Sequence, residues 1–184
     1  MLFRSMQVVC AELLAGTRVV ARATALRVRQ SPTPAAPPTL QFPAPDDVPL
    51  LAFTSDRPML NHTRARPIQG MMHQPGPGTM WAAFDIEIVS GTMLSPLARA
   101  AILGDFGSGV GSVLSRSKWN FANIDISIHF LRLPVGEWVL VDAVTETEGN
   151  GYAITRCVFA DRVGVYGRGF QTLFVAPAED ARKD

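Results

Sequence analysis

The stretch NIDISIHF, Asn123 to Phe130, alternates apolar and polar residues at the period of a β-strand. Ile124, Ile126, Ile128 and Phe130 share one parity. Asp125, Ser127 and His129 share the other. A carboxylate in the middle of such a segment either faces water or does chemistry. As a base, Asp125 could take a proton from water; as a nucleophile, it could attack a carbonyl. His129 shares the Asp125 parity, but four strand residues span about 13 Å. The two cannot share one proton directly, so His129 reads as a polar strand residue. Gln171, in GRGFQTL, lies in a segment apolar on both faces. A buried amide there must find hydrogen-bond partners. It could orient a water molecule without titrating, or tie structure together. Thr147 and Thr145 share a face of the strand before the EGNG turn and could supply a hydroxyl. Both are also ordinary strand residues.

Other chemistries find little support. The three histidines, His62, His73 and His129, form no metal-ligand spacing, and Cys10 and Cys157 lie far apart. Both cysteines read as small buried hydrophobes in a reducing compartment. The net charge of +1 gives no electrostatic case for nucleic acid or an anionic membrane. Trp81, Trp119 and Trp138 lack a surrounding basic patch and read as core or interface residues. GSGVG, Gly107 to Gly111, follows a predicted helix and does not open one, so it reads as a helix stop and not a phosphate loop. Asp105, just before those glycines, reads as a cap or a solvated residue, with a second acid near a pocket as the alternative. The N-terminus has Glu12 inside its would-be apolar run and no small-residue cleavage site, which argues against a signal peptide. No apolar run reaches the ~18 residues of a membrane span. A soluble cytoplasmic protein is expected.

The elements that must position these residues divide the 184-residue chain into parts. Residues 5–13 and 17–29 read as a β-hairpin around AGT. Ser31 to Pro49 holds seven of the 14 prolines, and residues 50–78 lack periodicity. Residues 31–78 therefore read as an interdomain linker. From Thr79 to Ala176 the pattern is β-α-β-β-β-β. MWAAFDIEIV is a strand. Ser95 and Pro96 start a helix as N-cap and N1, and it runs to about Phe106. Strands follow at about 122–132, 137–147, 152–160 and 165–176. Asn150-Gly151 marks a two-residue type I′ turn. The expected class is α+β, an antiparallel meander of about five strands packed on one helix. Residues 179–184 read as a tail.

Three motifs carry a resemblance: the Asp in the strand after the helix, PVGEW at Pro134 to Trp138, and the Gln of GRGFQTL. Together they make residues 79–176 resemble the C-terminal half of acyl-CoA thioesterase II, in the thioesterase-like superfamily. That resemblance implies a hotdog fold, a curved antiparallel sheet around a central helix. It implies hydrolysis of acyl-CoA thioesters, with Asp125 as general base or nucleophile and Gln171 and Thr147, or Thr145, orienting water. CoA enters only as part of the substrate, and no further cofactor or metal is implied. Members carry two hotdog units, whereas residues 1–30 resemble only the last two strands of a first unit. The first unit is thus expected to be truncated and the C-terminal unit complete, spanning 79–178. A lone unit leaves an edge and an apolar face open, so a homodimer or higher homo-oligomer is expected. Two other functions stay open. One is a non-catalytic acyl-binding or assembly protein that lost its pocket with the first unit. The other is a hotdog enoyl-CoA hydratase, ranked lower because no suitably spaced His–Asp pair is visible.

Overall fold

The computed structural model describes residues 5–51, 58–70 and 74–178. His73 and the expected tail at 179–184 lie outside these, as do 52–57 and 71–73 of the expected linker. The chain divides into two compact units, Met1–Pro37 and Pro38–Asp184.

The first unit is the expected hairpin. Strands β1 (Met6–Ala15) and β2 (Arg18–Val28) pair antiparallel. Gly16, with φ of 62°, takes the left-handed conformation that the tight turn requires.

The second unit contains a short helix α1 (Pro58–Asn61), strands β3 (Thr63–Gln69) and β4 (Gly78–Phe84), and helix α2 (Pro96–Val110). Strands β5 (Trp119–Phe130), β6 (Val139–Glu146), β7 (Tyr152–Asp161) and β8 (Gly164–Pro177) follow. The six strands form one antiparallel sheet in the order β3-β4-β6-β7-β8-β5. Helix α2 packs on one face. Ala100, Leu103, Phe106 and Val110 meet Ala65, Met80, Val141, Phe159 and Tyr166 there.

The strand read over MWAAFDIEIV ends at Phe84, and three further expectations change. First, the linker reading of 31–78 fails over much of its length, because β3 is a full member of the sheet and extends it to six strands. Leu51 bridges Ala65, and Val48 and Phe42 pack with Trp81 and Leu140 on the face opposite α2. Trp81 Nε1 donates to the Pro43 carbonyl (2.9 Å). The prolines suit this segment because it lies across a sheet face without joining the ladder. Second, α2 does not stop at the glycines but runs through them to Val110. Glycine disfavours a helix by about 1 kcal/mol against alanine. Close packing outweighs that here: a Cβ at Gly104 would strike Ile128, at Gly107 the Cys157 sulfur, and at Gly111 the Ala143 carbonyl. The start of α2 is as expected, with Ser95 Oγ accepting from the Ala98 N–H (3.1 Å) and Pro96 in the first turn. Third, the β6–β7 turn is not type I′. Gly149 and Gly151 have positive φ but Asn150 does not, so the loop is longer than two residues.

The loop after β5 is held by a part-buried ion pair, with Asp161 on the buried side. The Arg132 guanidinium grips both oxygens of Asp161 (2.5 and 2.7 Å), which also accept from the N–H groups of Val135 and Val163. Burial alone would raise the Asp161 pKa, but these donors outweigh it and hold the carboxyl below its ordinary value.

The close approach of helix and sheet predicts that Gly111→Ala destabilises the fold by about 1–3 kcal/mol, since backbone must move to admit the methyl group. Urea unfolding should show a lower midpoint with an unchanged slope.

Candidate active site

Gln171 lies mid-way along β8, opposite Thr155 of β7 and Ile126 of β5. It is 1% exposed. Its neighbours Phe170 and Thr172 take the other face by strand alternation. Its amide meets α2 with both ends. The Ser108 N–H donates to Oε1 (2.7 Å), and Nε2 donates to the Gly104 carbonyl. In an α-helix the N–H of residue 108 would donate to the carbonyl of residue 104. The Gln171 amide therefore engages both members of one rung of the helix ladder. An uncharged side chain that both donates and accepts can do this; a carboxylate cannot.

Two threonines continue the row on the same face. Thr155 and Thr145 are both buried, and their hydroxyls hydrogen-bond to each other (2.8 Å). The Thr145 N–H donates to the Gly111 carbonyl at the end of α2 (2.9 Å). Thr145, Thr155 and Gln171 thus run across β6, β7 and β8 beneath the helix. Thr147 does not join them. It is exposed, and its hydroxyl donates to the Tyr152 carbonyl (2.8 Å) and accepts from the Gly149 N–H (3.2 Å), closing the β6–β7 loop.

Asp125 sits next to Gln171 in register but is separated from it by direction. Asn123 pairs with Leu173 and Asp125 with Thr172, so Ile124 is an extra residue, a β-bulge. The bulge breaks the alternation read from NIDISIHF. Ile126 and Ile128 lie against Gly104 of α2, whereas Ile124 is 65% exposed. Asp125 is exposed, and among the described residues its side chain makes no hydrogen bond. His129 is an exposed strand residue opposite Arg168.

The helix side of β5 carries a different polar pair. Asn123 Nδ2 donates to Asp105 Oδ1 of α2 (2.6 Å); Asp105 does not cap the helix and is exposed, as expected of a solvated residue. Asn123 Oδ1 is buried without a hydrogen-bond partner among the described residues. This pair borders a cleft of about 330 Å³ with Met59, Leu60, Phe106 and Ser108 in its walls. None of Asp125, Gln171 and Thr147 lines this cleft or those of about 410 and 540 Å³ elsewhere. Cys157 lies under Gly107, where burial, reinforced by the charge of Asp142, pushes its thiol pKa up to about 12. It stays a neutral thiol near pH 7 and is a poor nucleophile; Cys10, expected to be buried as well, is exposed on β1. Among the described residues no group of three or more His, Cys, Asp or Glu could hold a metal ion.

Asn123, Ser108 and Thr155 were not singled out from sequence. The bulge that turns Asn123 toward α2 leaves no mark in an alternating pattern. The contribution of Ser108 is a backbone N–H, which any residue but proline could supply.

Residues 32–175 match the family model of the acyl-CoA thioesterase C-terminal domain. No curated protein matches the chain. Among solved structures, a conserved protein of unknown function with a hotdog fold from Alicyclobacillus acidocaldarius superimposes with a TM-score of 0.73 at 20% identity, covering 95% of this chain and 69% of that one. An acyl-CoA thioesterase II, TesB2, from Mycobacterium marinum gives 0.69 at 16% identity, over 96% and 70%. A putative thioesterase II from Thermobifida fusca gives 0.70 at 14% identity, over 94% and 68%. At these identities the likeness shows the fold, and the fold is the hotdog.

Gln171→Leu should lower stability by about 1–3 kcal/mol, because a buried N–H and a buried carbonyl of α2 lose their partner. Gln171→Glu should cost more, since the carboxylate has no donor for Gly104. Urea denaturation of the three proteins checks the order.

Proposed function

The chain belongs to the family of acyl-CoA thioesterase C-terminal domains, and on that premise we propose that it hydrolyses acyl-CoA thioesters to free acid and CoA. The observation that carries this reading is the buried Gln171 amide seated against α2, whose Ser108 borders a cleft, in a chain of this family. Asp125 is the general base or nucleophile. As base it takes a proton from water while the water oxygen attacks the thioester carbonyl. Collapse of the tetrahedral intermediate breaks the C–S bond, and the departing thiolate recovers the proton. As nucleophile it forms an acyl anhydride with loss of thiolate, and water then cleaves the anhydride. Gln171 keeps one N–H and one lone pair beyond its contacts with α2, enough to orient water. For the hydroxyl, Thr147 is the sequence candidate, and Thr145 has the position nearer to Gln171. CoA is substrate, and no other cofactor enters. The setting is cytoplasmic. Among the described residues no helix is long and apolar enough to cross a membrane.

The reading includes a homodimer or higher homo-oligomer. Among the described residues β5 is an edge strand, paired with β8 alone, and it exposes Ile124, Ile126 and Phe130. Long apolar edges invite pairing. Sedimentation at micromolar concentration should give at least a dimer; a well-behaved monomer would count against the assembly.

A second reading, acyl binding without hydrolysis, is favoured by one feature: Asp125 faces away from Gln171. Thiol release from acyl-CoAs of short to long chain decides between them. Hydrolysis predicts turnover by the wild type and a loss of roughly a hundredfold or more in Asp125→Asn. Saturable acyl-CoA binding with no thiol release by either protein would favour the second reading.

A further inference from the structure

We infer that two loops at the Phe130 end of β5 form a surface on which a second copy of this chain docks. The inference rests on the homo-oligomer of the proposed reading and names its contact surface. It takes nothing from Asp125. One loop, residues 85–95, joins β4 to α2 and exposes Ile88, Val89 and Met93, the last at 92%. The other, residues 131–138, joins β5 to β6 and exposes Leu131, Leu133 and Val135. Arg99 of α2 ties the loops together. Its guanidinium donates to the Leu94 carbonyl of the first (3.4 Å) and to the Gly136 carbonyl of the second.

The charged side chains of both loops are engaged within the chain. Glu87 accepts from the Gly91 N–H (2.9 Å), and Asp85 and Glu137 both accept from Arg64. Arg132, between two exposed leucines, grips Asp161. What faces outward is aliphatic. Six large side chains, each about half exposed or more, present on the order of 700 Å², close to the roughly 800 Å² that each partner buries in a standard interface. Patches larger than a few hundred Å² are rare on monomers.

Two features select a second copy as the occupant. The patch is continuous with β5, since Leu131 follows Phe130, and the edge of β5 exposes Ile124, Ile126 and Phe130, the contact proposed for assembly. A copy paired along that edge reaches the loop that extends it. The patch is also charge-poor, as the buried centre of a homodimer interface is. A lipid surface would favour Trp or Tyr with outward Lys or Arg, and the outward side chains here include none of these.

Sedimentation velocity of the full chain tests the inference on the wild type, Met93→Glu, Leu133→Glu and a control on the outer face of the sheet, Phe174→Glu. All three positions are exposed, so the fold should tolerate each change. The wild type should be at least a dimer at micromolar concentration. Either loop variant should raise the dissociation constant by about tenfold or more, because a carboxylate enclosed in the contact has no partner. The control should change it by less than about twofold. A monomeric wild type, loop variants that associate as the wild type does, or an equal loss in the control would each overturn the inference. Amide exchange needs no substitution. In both loops it should slow as the wild type is concentrated through its dissociation constant. Slowing along β5 alone would put the second copy on the strand edge only and overturn the role of the loops. A monomer that co-sediments with phosphatidylcholine vesicles would overturn it in favour of a lipid surface. Association through the loops without thiol release from acyl-CoA would uphold the interface and count against the proposed hydrolysis alone.

Discussion

The seating of the Gln171 amide in the ladder of α2 is the contact on which the rest of the domain is arranged. It requires the helix axis to lie close to the sheet, which only small residues on the facing side permit. Gly104, Gly107 and Gly111 provide that face, at a cost in helix propensity. The same closeness buries the Thr145–Thr155 pair and brings the Gly111 carbonyl within reach of the Thr145 N–H. Each of these polar groups is satisfied because the others are in place. A larger residue at any of the three glycines would pull apart the set and not just one contact.

The position of β5 follows from this. As an edge strand it is held by β8 on one side and by α2 through Asn123, Ile126 and Ile128. Asp125 lies between those attachments and is exposed.

The outer face of the sheet has a separate logic. The Pro-rich segment covers part of it with Val48, and Trp81 donates to the backbone of that segment. Farther along, Tyr152, Phe170 and Phe174 stay exposed. Burial of Trp81 and Trp138 agrees with their reading as core residues, while Trp119, on β5, remains partly exposed.

The sequence by itself determined the class, an antiparallel sheet on one helix, because period-two and period-3.6 patterns report burial directly. It also determined the start of α2, because Ser95-Pro96 is a local signal, and it marked Gln171 as an amide in apolar surroundings. The membership of β3 in the sheet was not legible. Its pattern is short, it contains Pro67, and its pairing partner lies beyond another loop. The extension of α2 through its glycines was not legible either, since the close packing that compensates for them comes from strands far along the chain. Only the tertiary structure decided which side of β5 each of Asn123 and Asp125 faces. A bulge adds one residue without changing composition, so the sequence shows the alternation and conceals the place where it breaks.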